Sequence, residues 1–261
     1  MALHDSYARA TPWEFLFESA GEARDFVSAV GEEAEGRGAQ PDTLESFLTM
    51  GSVDHLIRRL EGAVDQDGAL VRFGGLAFQA YHFTKAGCPL YLLSVHAARY
   101  LVEGVPPGRP EPPATSGYVQ LPQHLFWASE VGSGEAPASI DGIFWTSAPS
   151  GILHTLVVTG VRPDRPGIGV VPLPAAPLAD ASTWLDTDTR GGSGDFSASL
   201  PGAELDGLYQ VSTAGELLKL LARFFAYVAG VPSCLEAMDP QTGSDAPRPS
   251  SLSYSRVRLS A

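Results

Sequence analysis

Residues 138–161 read ASIDGIFWTSAPSGILHTLVVTGV. Two runs rich in β-branched and aromatic residues, 138–147 and 151–161, stand on either side of a short Ala-Pro-Ser step. Such runs suit strands, and the break between them suits a turn. Working outward, YVQLPQHLFWAS (118–129) and GIGVVPLP (167–174) repeat the pattern, with Gly, Pro and Ser clusters in between. The four runs predict an antiparallel meander of three or four strands. Pro122 has no amide hydrogen to give a ladder, so the first run reads as an edge strand or carries a bulge.

Upstream, GVPPGRPEPPATS (104–116) holds five prolines. Proline fixes φ and removes a donor, so 105–116 reads as a Pro-rich linker or a strap across the surface. Residues 1–104 read as mainly helical. Trp13, Phe15 and Phe17 alternate with Glu14, Leu16 and Glu18, which favours a short strand, although Thr11-Pro12-x-Glu14 also fits a capping box. Ser19-x-x-Glu22 starts a helix over about 20–35, with Phe26, Val30 and Ala34 on its buried face. Pro41 and Ser52 begin two short helices. Leu70, Phe73, Ala77, Ala80 and Phe83 mark another, capped by Gly87. Cys88-Pro89 then opens PLYLLSVHAARYLVEG, read as a further helix that closes a helical hairpin.

Downstream of the meander, Thr213-x-x-Glu216 begins a helix. Its Leu217, Leu220, Leu221, Phe224, Phe225 and Val228 share one face. At ~1.5–3 kcal/mol each, these six side chains favour packing by roughly 10 kcal/mol before entropy is counted. The fold class is therefore α+β: a helical N-terminal half, then a small antiparallel β-meander covered by a C-terminal amphipathic helix over 117–238. Residues 239–261 read as a flexible tail, with a candidate docking segment in SLSYSRVRLSA. That segment either meets a partner or folds back as an edge strand.

Charge narrows the partners. The chain has 261 residues and a net charge of −13, with 15 of its 30 acidic residues in 1–104 and 15 in 105–261. No basic stripe is present to neutralise phosphates, so nucleic acid and anionic membrane are excluded as expected partners. The longest apolar stretch, LLKLLARFFAYVAGV, carries Lys219 and Arg223 and is too short to span a bilayer. No basic, then apolar, leader opens the chain, and the expected location is the cytoplasm. Two cysteines, Cys88 and Cys234, make no metal or disulfide framework and read as reduced thiols.

His124, Asp141 and His154 form the best chemical constellation, since neighbouring strands could bring them together for a metal or for general acid–base work. Parity argues for packing instead: His124 falls with Tyr118 and Phe126, and His154 with Ile152, Leu156 and Val158. Asp141 precedes Gly142, where a turn or bulge accounts for a carboxylate. His82, His96 and Cys88 would meet across the helical hairpin, but their spacing matches no zinc pattern. DTDTRGG (186–192) places Arg190 where a calcium loop needs a ligand. No cofactor or metal is expected. Trp127 and Trp145, in matching Phe-Trp pairs, and Tyr254, Arg256 and Arg258 near the end of the chain are the candidate interaction residues. The sequence thus favours a non-catalytic, acidic intracellular interaction or accessory protein that binds a protein partner or itself. The alternative is a hydrolase-like, metal-dependent or acid–base enzyme using His124, Asp141 and His154.

Overall fold

Helix starts follow the capping residues. The computed structural model describes residues 7–38, 40–61, 69–128, 138–160, 169–186, 209–211, 214–240 and 249–259. Helix α1 (Pro12–Leu16) begins at Thr11, where Glu14 accepts from the Thr11 amide at 2.7 Å. The alternating aromatics at 13–17 are thus helical: the closed capping box and the proline at the first helical position outweigh a period-two pattern only five residues long. Ser19 caps α2 (Ala20–Arg37), and Thr43 caps α3 (Leu44–Leu48). Helix α4 (Gly51–Glu61) is capped from outside. Glu33 of α2 accepts from the Gly51 amide at 2.7 Å and the Ser52 amide at 3.0 Å. Helix α5 (Ala69–Lys85) ends with Gly87 at φ +84°, where Cys88 N donates to Phe83 O and Gly87 N to Thr84 O. These paired bonds form a Schellman closure.

No helix follows directly. Residues Leu90–Leu93 form strand β1, and only after Ser94, whose side chain accepts from the Ala97 amide, does α6 (Val95–Glu103) begin. The helical hairpin is therefore replaced by helix–strand–helix. β1 is apolar throughout because both its faces are covered. Leu90 and Leu92 pack on one side of the sheet and Tyr91 and Leu93 on the other. A short all-apolar run carries no period that separates strand from helix.

The meander forms as β2 (Ser116–Gln120), β4 (Ala138–Ser147), β5 (Ile152–Thr159) and β6 (Gly169–Pro172), all antiparallel neighbours. Pro122 interrupts the 118–129 run, so β3 (Phe126–Ala128) is a separate strand beside β4 and β8 (Tyr209–Val211). The two-residue β7 (Ala176–Pro177) adds to β5. Helix α7 (Ala181–Asp186) follows, and α8 (Ala214–Gly230) buries the six apolar residues of the expected face together with Glu216, Lys219 and Arg223, so it is covered on more than one face. β9 (Leu235–Met238) and β10 (Tyr254–Val257) complete the sheet, in order β6-β5-β4-β2-β1-β10-β9. The fold is mixed α and β with a mostly antiparallel sheet. Only β2, β1 and β10 run parallel along this path.

The segment around Tyr254 is thus an inner strand, paired with β1 on one side and β9 on the other. A flexible tail or an edge strand does not describe it. Its backbone donors and acceptors are already in ladders, so it has none to offer a partner strand.

One layer of side chains, from α6, α8 and the sheet, includes Tyr91, Trp145, Phe224 and Phe225. The opposite layer, from α1 to α5 and the other sheet face, includes Trp13, Phe47, Phe78 and Phe83. The helical first half and the sheet therefore share a core. Residues 105–115 lie in no regular element, and Gly108 approaches α8 so closely that a Cβ there would stand 2.6 Å from the Gly230 nitrogen.

Candidate functional site

Asp141 is the buried carboxylate around which polar groups gather. Its position comes from a register shift between Ile140 and Gly142 in the β4–β5 ladder. Such a bulge turns a side chain out of the regular alternation and bends the strand. Gly142 is needed beside it, because a Cβ at 142 would lie 2.5 Å from the Tyr118 hydroxyl oxygen. Tyr118 therefore reaches across and donates to Asp141 Oδ2 at 2.6 Å. Gln120 Nε2 donates to the same oxygen at 3.3 Å. Arg9, brought in by the 7–11 segment, donates to Oδ1 from Nε at 3.1 Å and from Nη2 at 2.7 Å.

The enclosure is nearly complete. Arg9 is 7% exposed, Asp141 6%, and Tyr118 and Gln120 0%. Burial, and then the Asp141 charge, holds the Tyr118 phenol well above its ordinary pKa, so it stays a donor. A buried pair of this kind holds only when its remaining donors and acceptors are also satisfied. Most are: Arg9 Nη2 also meets Leu121 O at 3.0 Å, and the Gln120 amide bonds both the N–H (2.8 Å) and the C=O (3.3 Å) of Arg9. Arg9 Nη1 is buried with no acceptor.

The proposed trio of His124, Asp141 and His154 is not assembled. His154 pairs with Thr146, four ladder positions beyond the Gly142–Val158 pair, or ~14 Å along the strands. Its ring centroid lies 5.2 Å from that of Phe78, which also packs 4.6 Å from His82. Burial lowers His82 to about 4, and lowers His154 as well, so both imidazoles are neutral near pH 7. His124 does not lie on a strand. It holds φ +62° in the turn after Pro122, and its ring stacks on Trp127 with centroids 5.7 Å apart. His124 has no strand parity, because β2 ends at Gln120, before Pro122.

His82 and His96 do not flank a helical hairpin with Cys88, since β1 intervenes. Among the described residues no group of three His, Cys, Asp or Glu side chains could hold a metal ion. Residues 187–192 of the calcium-like stretch lie outside the described residues. Burial raises the thiols of both Cys88 and Cys234 to about 11, which suppresses thiolate chemistry.

The interaction candidates separate. Trp145 is fully buried against Phe224 and Phe225, with its indole N–H on Ala114 O at 3.1 Å. It is a core residue and no surface anchor. Tyr254 is buried in the helical layer. Arg258 pairs with Glu236 at 2.7 Å, and the Arg256 guanidinium lies 4.0 Å from the same carboxylate. Arg258 keeps 55% of its side chain exposed against 15% for Arg256. Trp127 is half-buried, its indole N–H held by His124 O at 2.9 Å, and its ring remains partly at the surface. A separate shallow cleft of about 490 Å3 lies between 109–112, 150–152 and 177–182, lined by Arg109, Glu111, Ser150 and Ser182 among others, and none of the candidates lines it.

Sequence reasoning singled out Asp141 but missed Arg9 and the roles of Tyr118 and Gln120. A glutamine ending an otherwise apolar strand was the available signal. No family model, curated protein or solved structure matches the chain.

Proposed function

We propose that this chain is a non-catalytic, acidic binding protein whose partner is another protein. The observation that carries this reading is the state of Asp141: both of its oxygens accept from groups of its own chain, Arg9 on one and Tyr118 and Gln120 on the other. A general base needs a lone pair within reach of a substrate proton, and this carboxylate has committed its own. The histidines support the same reading, since His154 packs against Phe78 and His124 against Trp127. The net charge of −13 favours a basic partner through long-range attraction. Trp127, stacked on His124, and Arg258 are the side chains through which contact is expected. The unpaired cysteines, in layers on opposite faces of the sheet, support a reducing compartment such as the cytoplasm.

The test has two arms. A partner captured by the purified chain and then reconstituted from pure components is expected to bind at least tenfold more weakly to Trp127→Ala, with the fold intact by circular dichroism. A panel of ester, amide and phosphoester substrates is expected to give no turnover that Asp141→Asn removes. Turnover lost in both Asp141→Asn and His154→Ala would contradict the reading.

A further inference from the structure

We infer that the pocket around Asp141 is an arginine-recognition site held closed by the chain's own Arg9, and that it opens to an arginine presented in an extended segment of a partner protein. The inference rests on the reading of this chain as a binding protein. It names what one surface of that protein recognises.

The contacts describe recognition of a whole residue. Asp141 takes Nε and Nη2 of the guanidinium from the side, and Leu121 O takes Nη2 again at 3.0 Å. Gln120 reads the main chain of that same arginine, accepting from its N–H at 2.8 Å and donating to its C=O at 3.3 Å. A side-chain amide bonded to both backbone groups imitates an adjacent strand, which is how extended peptides are commonly held. Ala8 is buried and Ala10 half-buried, so the flanking positions ask for small side chains and the polar recognition falls on the arginine. Lysine cannot meet them, because a single ammonium lacks the Nε donor of the guanidinium fork.

Three features distinguish the pocket from a plain structural ion pair. The bulge at Asp141 aims the carboxylate at the incoming guanidinium, and bulges gather beside functional sites. The pocket lies at the carboxyl end of β2, where the ladder to β4 stops at the Gln120–Gly142 pair. Its present occupant is imperfectly satisfied, since Arg9 Nη1 is buried with no acceptor. An unmet buried donor weakens the closed state, which makes the occupant displaceable. The segment also meets 249–251, through the isolated bridge between Arg9 and Pro249, through Ser250 N on Ala8 O at 2.8 Å, and through the Glu14 carboxylate, which accepts from Thr11, Ser250 and Ser251. The overall acidity of the chain draws a cationic segment toward it.

The probe is the peptide acetyl-Tyr-Ala-Arg-Ala-Thr-amide, with a version carrying lysine for arginine as control. Fluorescence anisotropy on the full chain bearing Arg9→Ala is expected to give saturable, submillimolar binding, at least tenfold tighter for the arginine peptide. Adding Asp141→Asn is expected to abolish it, and the wild-type chain is expected to bind at least tenfold more weakly because Arg9 competes. A folded Arg9→Ala chain that binds neither peptide at 5 mM overturns the inference. If that variant does not fold, hydrogen exchange on the wild-type chain decides. Excess arginine peptide is expected to speed exchange of the residue 8–10 amides at least threefold relative to the lysine peptide, and no difference overturns the inference. Failure here leaves the wider binding reading intact provided the Trp127→Ala arm of its test succeeds.

Discussion

At the scale of single residues, Gly142 has the sharpest consequence. The Tyr118 ring lies where its side chain would be, and the Tyr118 hydroxyl supplies the shortest bond to Asp141. Gly142→Ala forces that ring to move or the strand to shift. We expect a loss of about 1–3 kcal/mol, as for overpacked cores. Urea unfolding monitored by tryptophan fluorescence measures it. Adding Tyr118→Phe to this variant should cost less than it does in the wild type, because the bond it removes is already strained. Asp141 itself was legible in the sequence as a turn or bulge residue because an Asp-Gly pair breaks the regular alternation of a strand. Its partner was not legible: Arg9 lies 132 positions away and its neighbours carry no periodic signal.

At the scale of elements, what the sequence disclosed depended on whether a local rule was decisive. The helix beginning at Ser19 was legible because a cap acts within three residues, and α8 because its apolar residues recur over several turns; the helix expected from Pro41 starts later, at the Thr43 cap. β1 was hidden because burial on both faces erases the alternation that marks a strand. β10 was hidden because only a partner strand distant in sequence makes Tyr254–Val257 an inner strand. That placement carries a prediction. Truncation after Asp239 removes β10 from between β1 and β9, together with the buried Tyr254 and Val257. The truncated chain is expected to lose cooperative unfolding in a calorimetric scan, whereas a dispensable tail would leave the transition unchanged. The cap that α2 gives α4 makes a milder case. Glu33→Ala leaves the Gly51 and Ser52 amides without their carboxylate and is expected to cost ~1 kcal/mol. Faster hydrogen exchange at those two amides, with the sheet unaffected, would locate the loss.

At the scale of the whole molecule, stability depends on pH through groups that the fold has displaced from their ordinary pKa. His82 is lowered to about 4 by burial, with the Pro41 carbonyl and then Asp42 opposing that shift and Lys85 and His154 reinforcing it. A base whose folded pKa is depressed binds fewer protons than it does unfolded, so stability falls as pH drops from about 6.5 to about 4. The loss from His82 is on the order of 2 kcal/mol once its partial solvent contact is allowed for. Glu33 acts in a lower window. The Gly51 amide, then Ser52, hold it at about 2, so its contribution is present above pH 4.5 and lost between there and pH 2. Urea midpoints at pH 7 and pH 4.5 should differ less in His82→Gln than in the wild type, and an equal difference would remove His82 from the account.

One pairing matters most at this scale: the Arg9–Asp141 contact ties the 7–11 segment to the middle of the sheet and occupies Oδ1 of the carboxylate. The most direct measurement is a double-mutant cycle with Arg9→Met and Asp141→Asn, read by chemical denaturation. Each single change is expected to cost ~3–5 kcal/mol by leaving its partner buried and unpaired. The double variant is expected to cost at least ~2 kcal/mol less than the sum of the two. Costs that add to within ~0.5 kcal/mol would mean that Asp141 is not committed to Arg9, and would contradict the account.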